Sequence, residues 1–323
     1  MGLTIHYTLK STTKSERKAQ QLVEAMRQFA MDLPFDSVSE MVDLSGDGCK
    51  FNPDGSSDDP VRWLLIQCHE SAPCPWNENI SFNVAPTRVI AFNVRTGPGC
   101  EDANFGLCRY PAEMVVEYEP QHDQRFCRDG RYSYMKFRKW ADRKIPGRFV
   151  TESELKEPRT IRTQLSGWRW QSFSKTQYAS DPTYGGVANF LRCHVSLVTL
   201  LDRIGVLPTV AVDIEDEGHY GPSTYSDDWR EARAANRQPT YIWHPATHSV
   251  PTLLRELGDY NAMIAAFAGA MKDSCGDSFQ SPILQFENFE SLEFQGGNSE
   301  ALGPFLEAMA GLARNTGPTR TAG

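Results

Sequence analysis

The sequence predicts an α+β fold, and three observations predict it. A strand–helix–strand pattern occupies residues 3–44, a second occupies residues 168–214, and further helical stretches follow. The two units are expected to contribute to one or two mixed sheets, with the additional helices on the C-terminal side.

The first unit opens with residues 3–9, where Leu3, Ile5, Tyr7 and Leu9 alternate with Thr4, His6 and Thr8. That period of two is a half-buried strand. Thr13 and Glu16 stand at capping-box spacing, where hydroxyl and carboxylate satisfy free helix amides. Behind them Ala19, Leu22, Val23, Met26, Phe29, Ala30 and Leu33 mark one helical face. Pro34 ends it, because proline supplies no amide and clashes with the preceding turn. Residues 38–44 read as the second strand. Residues 61–67 are a nearly continuous apolar run and are predicted to form a central strand. Residues 88–94 form another, after which Gly97-Pro98-Gly99 opens a loop expected to reach Pro111.

The second unit starts with residues 168–178, rich in aromatic and hydroxyl side chains as strands are. Gly185 and Gly186 lead into a helix whose face is Val187, Phe190, Leu191, His194, Leu197, Val198, Leu201 and Ile204. Gly205 is expected to stop it in the left-handed conformation. Residues 209–214 return as a strand. Helices are predicted over 227–236, 252–272 and 299–312, and residues 315–323 read as a disordered tail. Residues 1–314 are thus expected to form one globular unit. Within it, two pseudo-repeated halves (1–120 and 160–314) are joined by a basic connector, 121–159.

Hydrophobic residues make up 40% and charged residues 23%, which is ordinary for a globular chain. A formal charge of −8 argues against broad, nonspecific binding to nucleic acid or anionic membrane. Residues 1–6 lack the basic-then-apolar pattern of a secretory signal. The eight cysteines are therefore expected as thiols and the compartment as cytoplasmic, with no membrane partner. No Cys-x-x-Cys pair, phosphate-binding Gly-Lys loop, His-Glu-x-x-His or Gly-x-Ser-x-Gly occurs. Gly97-x-Gly99-x-x-Asp102 departs from the dinucleotide fingerprint, because an aspartate would repel pyrophosphate. His69 beside Glu70, the His244–His248 pair, His122 and Cys127 form no recognised metal pattern. Metal and cofactor are left unassigned.

Three polar segments rank as a site. The loop after residues 88–94 carries Cys100, Glu101, Asp102, Cys108 and Arg109, two thiols and two carboxylates where α/β proteins place binding groups. The segment 172–180 holds Lys175 and Tyr178 ahead of the helix start at Gly186, where free amides and the helix dipole favour an anion. Glu217 and His219 follow a hydrophobic strand and suit general acid–base work. His194, on an apolar helical face, reads as a core histidine satisfied by a backbone carbonyl.

These segments point to an enzyme acting on a small anionic substrate, hydrolase or transferase undetermined. In that reading Lys175 and Gly186 bind the anion, with Cys100, Glu101, Asp102 and Cys108 completing the substrate site. Glu217, His219 and Tyr178 handle protons. The alternative lies in residues 125–148, where nine basic residues and interleaved aromatics face only Asp129 and Asp142. Arg131, Lys136, Arg138 and Lys139 would then hold nucleic-acid phosphate while aromatics stack on bases. A protein-interaction module is the third reading.

Overall fold

The computed structural model describes residues 3–49, 60–66, 68, 70–116, 157–226, 231–232, 235, 237–276 and 279–298. The basic stretch 125–148, with Arg131, Lys136, Arg138 and Lys139, lies outside the described residues, as do the helix expected over 299–312 and the tail 315–323. Only Glu231, Ala232 and Ala235 of the 227–236 helix are described.

Strand β1 (Thr4–Ser11) buries Ile5, Tyr7 and Leu9 and exposes His6 and Lys10. Helix α1 (Glu16–Met31) is capped by Ser15, whose hydroxyl accepts the Lys18 amide. Thr13, the residue expected to cap, instead accepts the Ser15 amide. Ala19, Leu22, Val23, Met26 and Ala30 form the buried face. The expected strand over 38–44 is broken into β2 (Ser37–Val38) and β3 (Val42–Ser45), both paired with β6 (Arg88–Arg95).

Two expectations are corrected here. Residues 61–66 are not a central strand: they belong to a short helix, α2 (Pro60–Ile66), that buries Leu64 and Leu65 and exposes Trp63. Pro60 at its first position gives up an amide that has no intrahelical partner there. Nor does the loop from Gly97 continue to Pro111. Residues Ala103–Arg109 are strand β7, paired along its whole length with β6.

The remaining elements are β4 (Glu70–Cys74), β5 (Asn77–Val84), β8 (Glu113–Val116), β9 (Arg159–Arg162), β10 (Trp168–Lys175), α3 (Gly186–Gly205), β11 (Val210–Asp216), β12 (Ser223–Tyr225), β13 (Ile242–His244), α4 (Val250–Cys275) and α5 (Phe289–Gly297). Helix α3 does not end on a left-handed Gly205. The positive φ falls at Thr209, whose carbonyl receives the Thr12 amide.

The main sheet has the order β11-β1-β10-β7-β6-β2, with β3 also on β6, and every pairing in it is antiparallel. β10 and β11 run parallel to each other without pairing, because β1 is inserted between them. Helix α1 lies against β6 and β7, α3 against β11, and the two helices touch. The core between them holds Ile5, Leu9, Val23, Met26, Phe105, Trp170, Leu197 and Leu201. Tyr7 and Trp170 each donate a hydrogen bond to the Asn104 carbonyl, at 2.7 and 2.8 Å, so two large aromatics are buried with their polar atoms satisfied. A smaller cluster of Leu3, Ala179, Phe190, Cys193, Leu253 and Leu257 joins α4 to the sheet edge where β10 ends. α4 and α5 pack on each other beyond it.

Candidate functional site

Register brings three distant segments to one edge of the sheet. Thr4 pairs with Lys175 and Ile5 with Asp216, so the last residues of β10 and β11 flank the first residue of β1. The Glu217 carboxylate accepts the Thr4 amide at 2.8 Å, and the Glu217 amide donates to the Thr4 carbonyl at 3.1 Å. β6 runs in the same sense as β10, so the loop after it arrives at this edge too. There the Glu101 amide donates to the Lys175 carbonyl at 2.9 Å, Ser174 donates to the Glu101 carbonyl at 2.7 Å, and Lys175 Nζ pairs with Glu101 Oε1 at 3.2 Å.

Directly behind the edge lies a buried chain of hydroxyl, imidazole and carboxylate. Thr176 Oγ1 is 2.8 Å from His194 Nδ1, and His194 Nε2 is 3.2 Å from Asp216. None of the three side chains has solvent contact. Asp216 ends β11 and turns the chain so that its oxygens also accept the Gly218, Tyr220 and Gly221 amides, at 2.8, 3.1 and 2.7 Å. Burial alone would raise this carboxyl's pKa. The charge and hydrogen bond of His194, with the Gly221 and Gly218 amides, outweigh burial and hold it below the usual carboxylate range. An ionised carboxylate only accepts, so His194 Nε2 carries a proton; when the ring is neutral Nδ1 accepts from the Thr176 hydroxyl, and when it is charged Nδ1 donates to it. That is the order of a hydroxyl, its base and the group that orients the base.

A second buried network adjoins the first. Gln177 accepts the Leu3 amide and donates to Asn261 of α4 at 2.8 Å. Asn261 donates to Ser180 at 3.1 Å, and Ser180 donates back to the Gln177 carbonyl at 2.7 Å. Every side chain in it is satisfied, which fixes the turn after β10 to α4.

The residues expected from the sequence divide as follows. Lys175, Glu101 and Glu217 share the edge. Tyr178 sits beside it, with its carbonyl against Gly99, where a Cβ would come within 2.5 Å. Burial pushes the Tyr178 hydroxyl up, with Lys175 acting against it. Cys100 donates to the Thr176 carbonyl at 4.0 Å and packs against the cluster that holds Cys193 of α3; the neighbouring thiols push Cys100 up and Cys193 down. Asp102 faces Arg95 at 3.9 Å, and burial raises its carboxyl. The Gly186 amide donates to the Asp181 carbonyl at 3.0 Å and so is already used, while Asn189 one turn later donates to the Pro98 carbonyl at 3.0 Å. His219 turns away to Ser223, 2.8 Å from Nδ1, and its ring lies tilted against Tyr225.

Cys108 does not join them. It faces Arg169 near the start of β10, six residues and roughly 20 Å from Lys175 at strand rise, and lies with Cys68 and Cys49 in the core. Its assignment to the substrate site rested on residues 97–111 being one loop, and β7 removes that premise.

Thr176 and Asp216 stand in two of the polar segments and His194 on the helix face, but the sequence did not place any of the three in the site. His194 is a core histidine as expected, but side chains rather than a backbone carbonyl satisfy it. The signal was available: an imidazole amid Phe190, Leu197 and Leu201 requires buried partners, and Asp216-x-Gly218 at a strand end is a side-chain-to-amide turn.

Among the described residues no group of three His, Cys, Asp or Glu side chains is placed to hold a metal ion, and no helix is long and apolar enough to cross a membrane. In comparisons with protein-family models, curated proteins and solved structures, nothing matches this chain.

Proposed function

We propose that the protein is an enzyme that transfers or hydrolyses a group on a small anionic substrate at the sheet edge formed by Lys175, Thr4 and Glu217. The observation that carries this reading is the Thr176–His194–Asp216 chain immediately behind Lys175. Lys175 supplies the positive charge for the anion. His194, oriented by Asp216, takes the Thr176 proton as that hydroxyl attacks, and Glu217 is the second carboxylate at the rim. The substrate reaches Thr176 when the loop 97–102 lifts. Its Lys175–Glu101 ion pair is solvent-exposed and worth about 0–1 kcal/mol. Lifting also breaks the bonds of Glu101 to Ser174 and Lys175 and the Asn189 bond to the Pro98 carbonyl, at about 1 kcal/mol each, so the open state is a minor population.

The test uses p-nitrophenyl phosphate and p-nitrophenyl acetate as substrates and inorganic phosphate as ligand. Saturable turnover of one ester is expected, falling about 100-fold or more in Thr176→Val with the fold intact, as loss of positioned proton transfer does. Lys175→Gln is expected to raise KM. The reading fails if neither ester is turned over and phosphate leaves Tm unchanged. If Thr176→Val lowers stability and spares turnover, the buried chain is a structural tie instead.

A further inference from the structure

Cys100 and Cys193 come from different elements, 93 positions apart in sequence. They meet because the Gly97–Cys100 turn lies directly on α3. A Cβ at Gly97 would stand 2.6 Å from Cys193 Sγ, so only glycine lets the turn approach this closely. Cys193 Sγ also donates to the Thr96 carbonyl at 3.5 Å, and Asn189 of the same helix holds the Pro98 carbonyl. The turn is thus docked on both sides of the thiol pair. Cys193 has no solvent contact, whereas Cys100 is partly exposed.

We propose that Cys100 and Cys193 are an oxidation site that hydrogen peroxide converts to a disulfide. The docked turn packs Cys100 into the cluster that holds Cys193, so bond formation needs a local closure to the S–S length of about 2 Å. Arg192, whose guanidinium also pairs with Asp36 at 3.1 Å, favours the negative charge of the pair. In the reaction the pair first loses one proton to water. The remaining proton, which the pair holds on Cys100, passes to Cys193 as the Cys100 sulfur attacks a peroxide oxygen; the O–O bond breaks, and hydroxide leaves, taking that proton from Cys193 as water. The Cys193 thiolate then attacks the Cys100 sulfenic acid. The S–S bond forms, the S–O bond breaks, and the departing hydroxide recovers the first proton as a second water. Two thiols are oxidised and one peroxide is reduced to two waters.

Cys68 and Cys108 are a built-in comparison, since they too are neighbours in one core cluster but both are buried. The experiment treats the full chain with hydrogen peroxide, quenches it, alkylates under denaturing conditions and maps the peptides. Untreated protein is expected to alkylate at all eight cysteines. Treated protein is expected to alkylate at six, with one Cys100–Cys193 cross-linked peptide that dithiothreitol reverses. In Cys193→Ser, Cys100 should stop at a dimedone-trappable sulfenic acid. In Cys100→Ser, Cys193 should stay alkylatable. The proposal is overturned if both residues remain alkylatable in treated wild type, or if Cys100 links to another cysteine. None of these readouts depends on a substrate or on turnover.

Discussion

The imidazole of His194 and the carboxylate of Asp216 meet at 3.2 Å to both carboxylate oxygens, with no solvent contact on either side chain. Asp216 is also the acceptor for three backbone amides. Removing it strands an imidazole N–H and those amides in the interior at once. Asp216→Ala is therefore expected to lower stability by about 3–5 kcal/mol, the range for breaking a buried pair on one side. Urea denaturation measures it, and a loss below about 1 kcal/mol would mean that the network is not holding the strand ends.

Acid should act through the same carboxylate. Its folded pKa is depressed, so its stabilising contribution is fully present above the unfolded value, about 3.9, and is lost as pH falls through the lower folded value. Wild-type stability is expected to decline below about pH 4. Asp216→Ala, with no carboxylate left to protonate there, should decline less steeply over that window. Parallel slopes would assign the acid sensitivity elsewhere.

Glu101 and an incoming anion compete for Lys175. Glu101→Gln removes the competitor while keeping the backbone bonds that shape the loop. It is expected to tighten inorganic phosphate binding several-fold at low salt, an advantage that fades as ionic strength rises. Calorimetric titration of both proteins decides this, and weaker binding in the variant would remove Lys175 from the anion site.

Tyr260 of α4 reports on the neighbourhood of Glu217. Burial, then the charges of Glu217 and Glu256, push its hydroxyl up to about 12. Its contribution is present below the ordinary tyrosine value of 10.0 and disappears as pH rises through the shifted one. Glu217→Gln should bring the Tyr260 titration down, as seen in tyrosinate absorbance against a Tyr260→Phe control. An unmoved titration would separate Glu217 from α4.

Sequence patterns carried β1, α1, β10, α3 and β11 because each has one wet face and one dry face, which is what periodicity records. They failed for β7, where residues 103–108 are buried on both sides and include Gly106. A Cβ there would come within 2.4 Å of the Ile90 carbonyl, so this glycine marks a close approach of two strands. They failed again for α2, since a short apolar run looks the same in a buried strand and a buried helix. At the site, charge drew attention to Lys175, Glu101 and Glu217, which share the edge. The buried chain behind them was missed because Thr176 and Asp216 look unremarkable until the sheet places them on either side of His194.

The insertion of β1 between β10 and β11 has a consequence for how the molecule is made. Thr4 and its partner Glu217 are 213 residues apart in sequence. At ordinary translation rates of 5–20 residues per second, roughly 10–40 s pass between their emergence from the ribosome. Until β10 emerges Ile5, Tyr7 and Leu9 sit on a strand with neither edge paired, and its second edge waits for β11, the arrangement that invites association with other chains. The sheet closes only after synthesis has passed β11. The nascent chain therefore gains most from a chaperone that shields β1 until β10 and β11 have emerged.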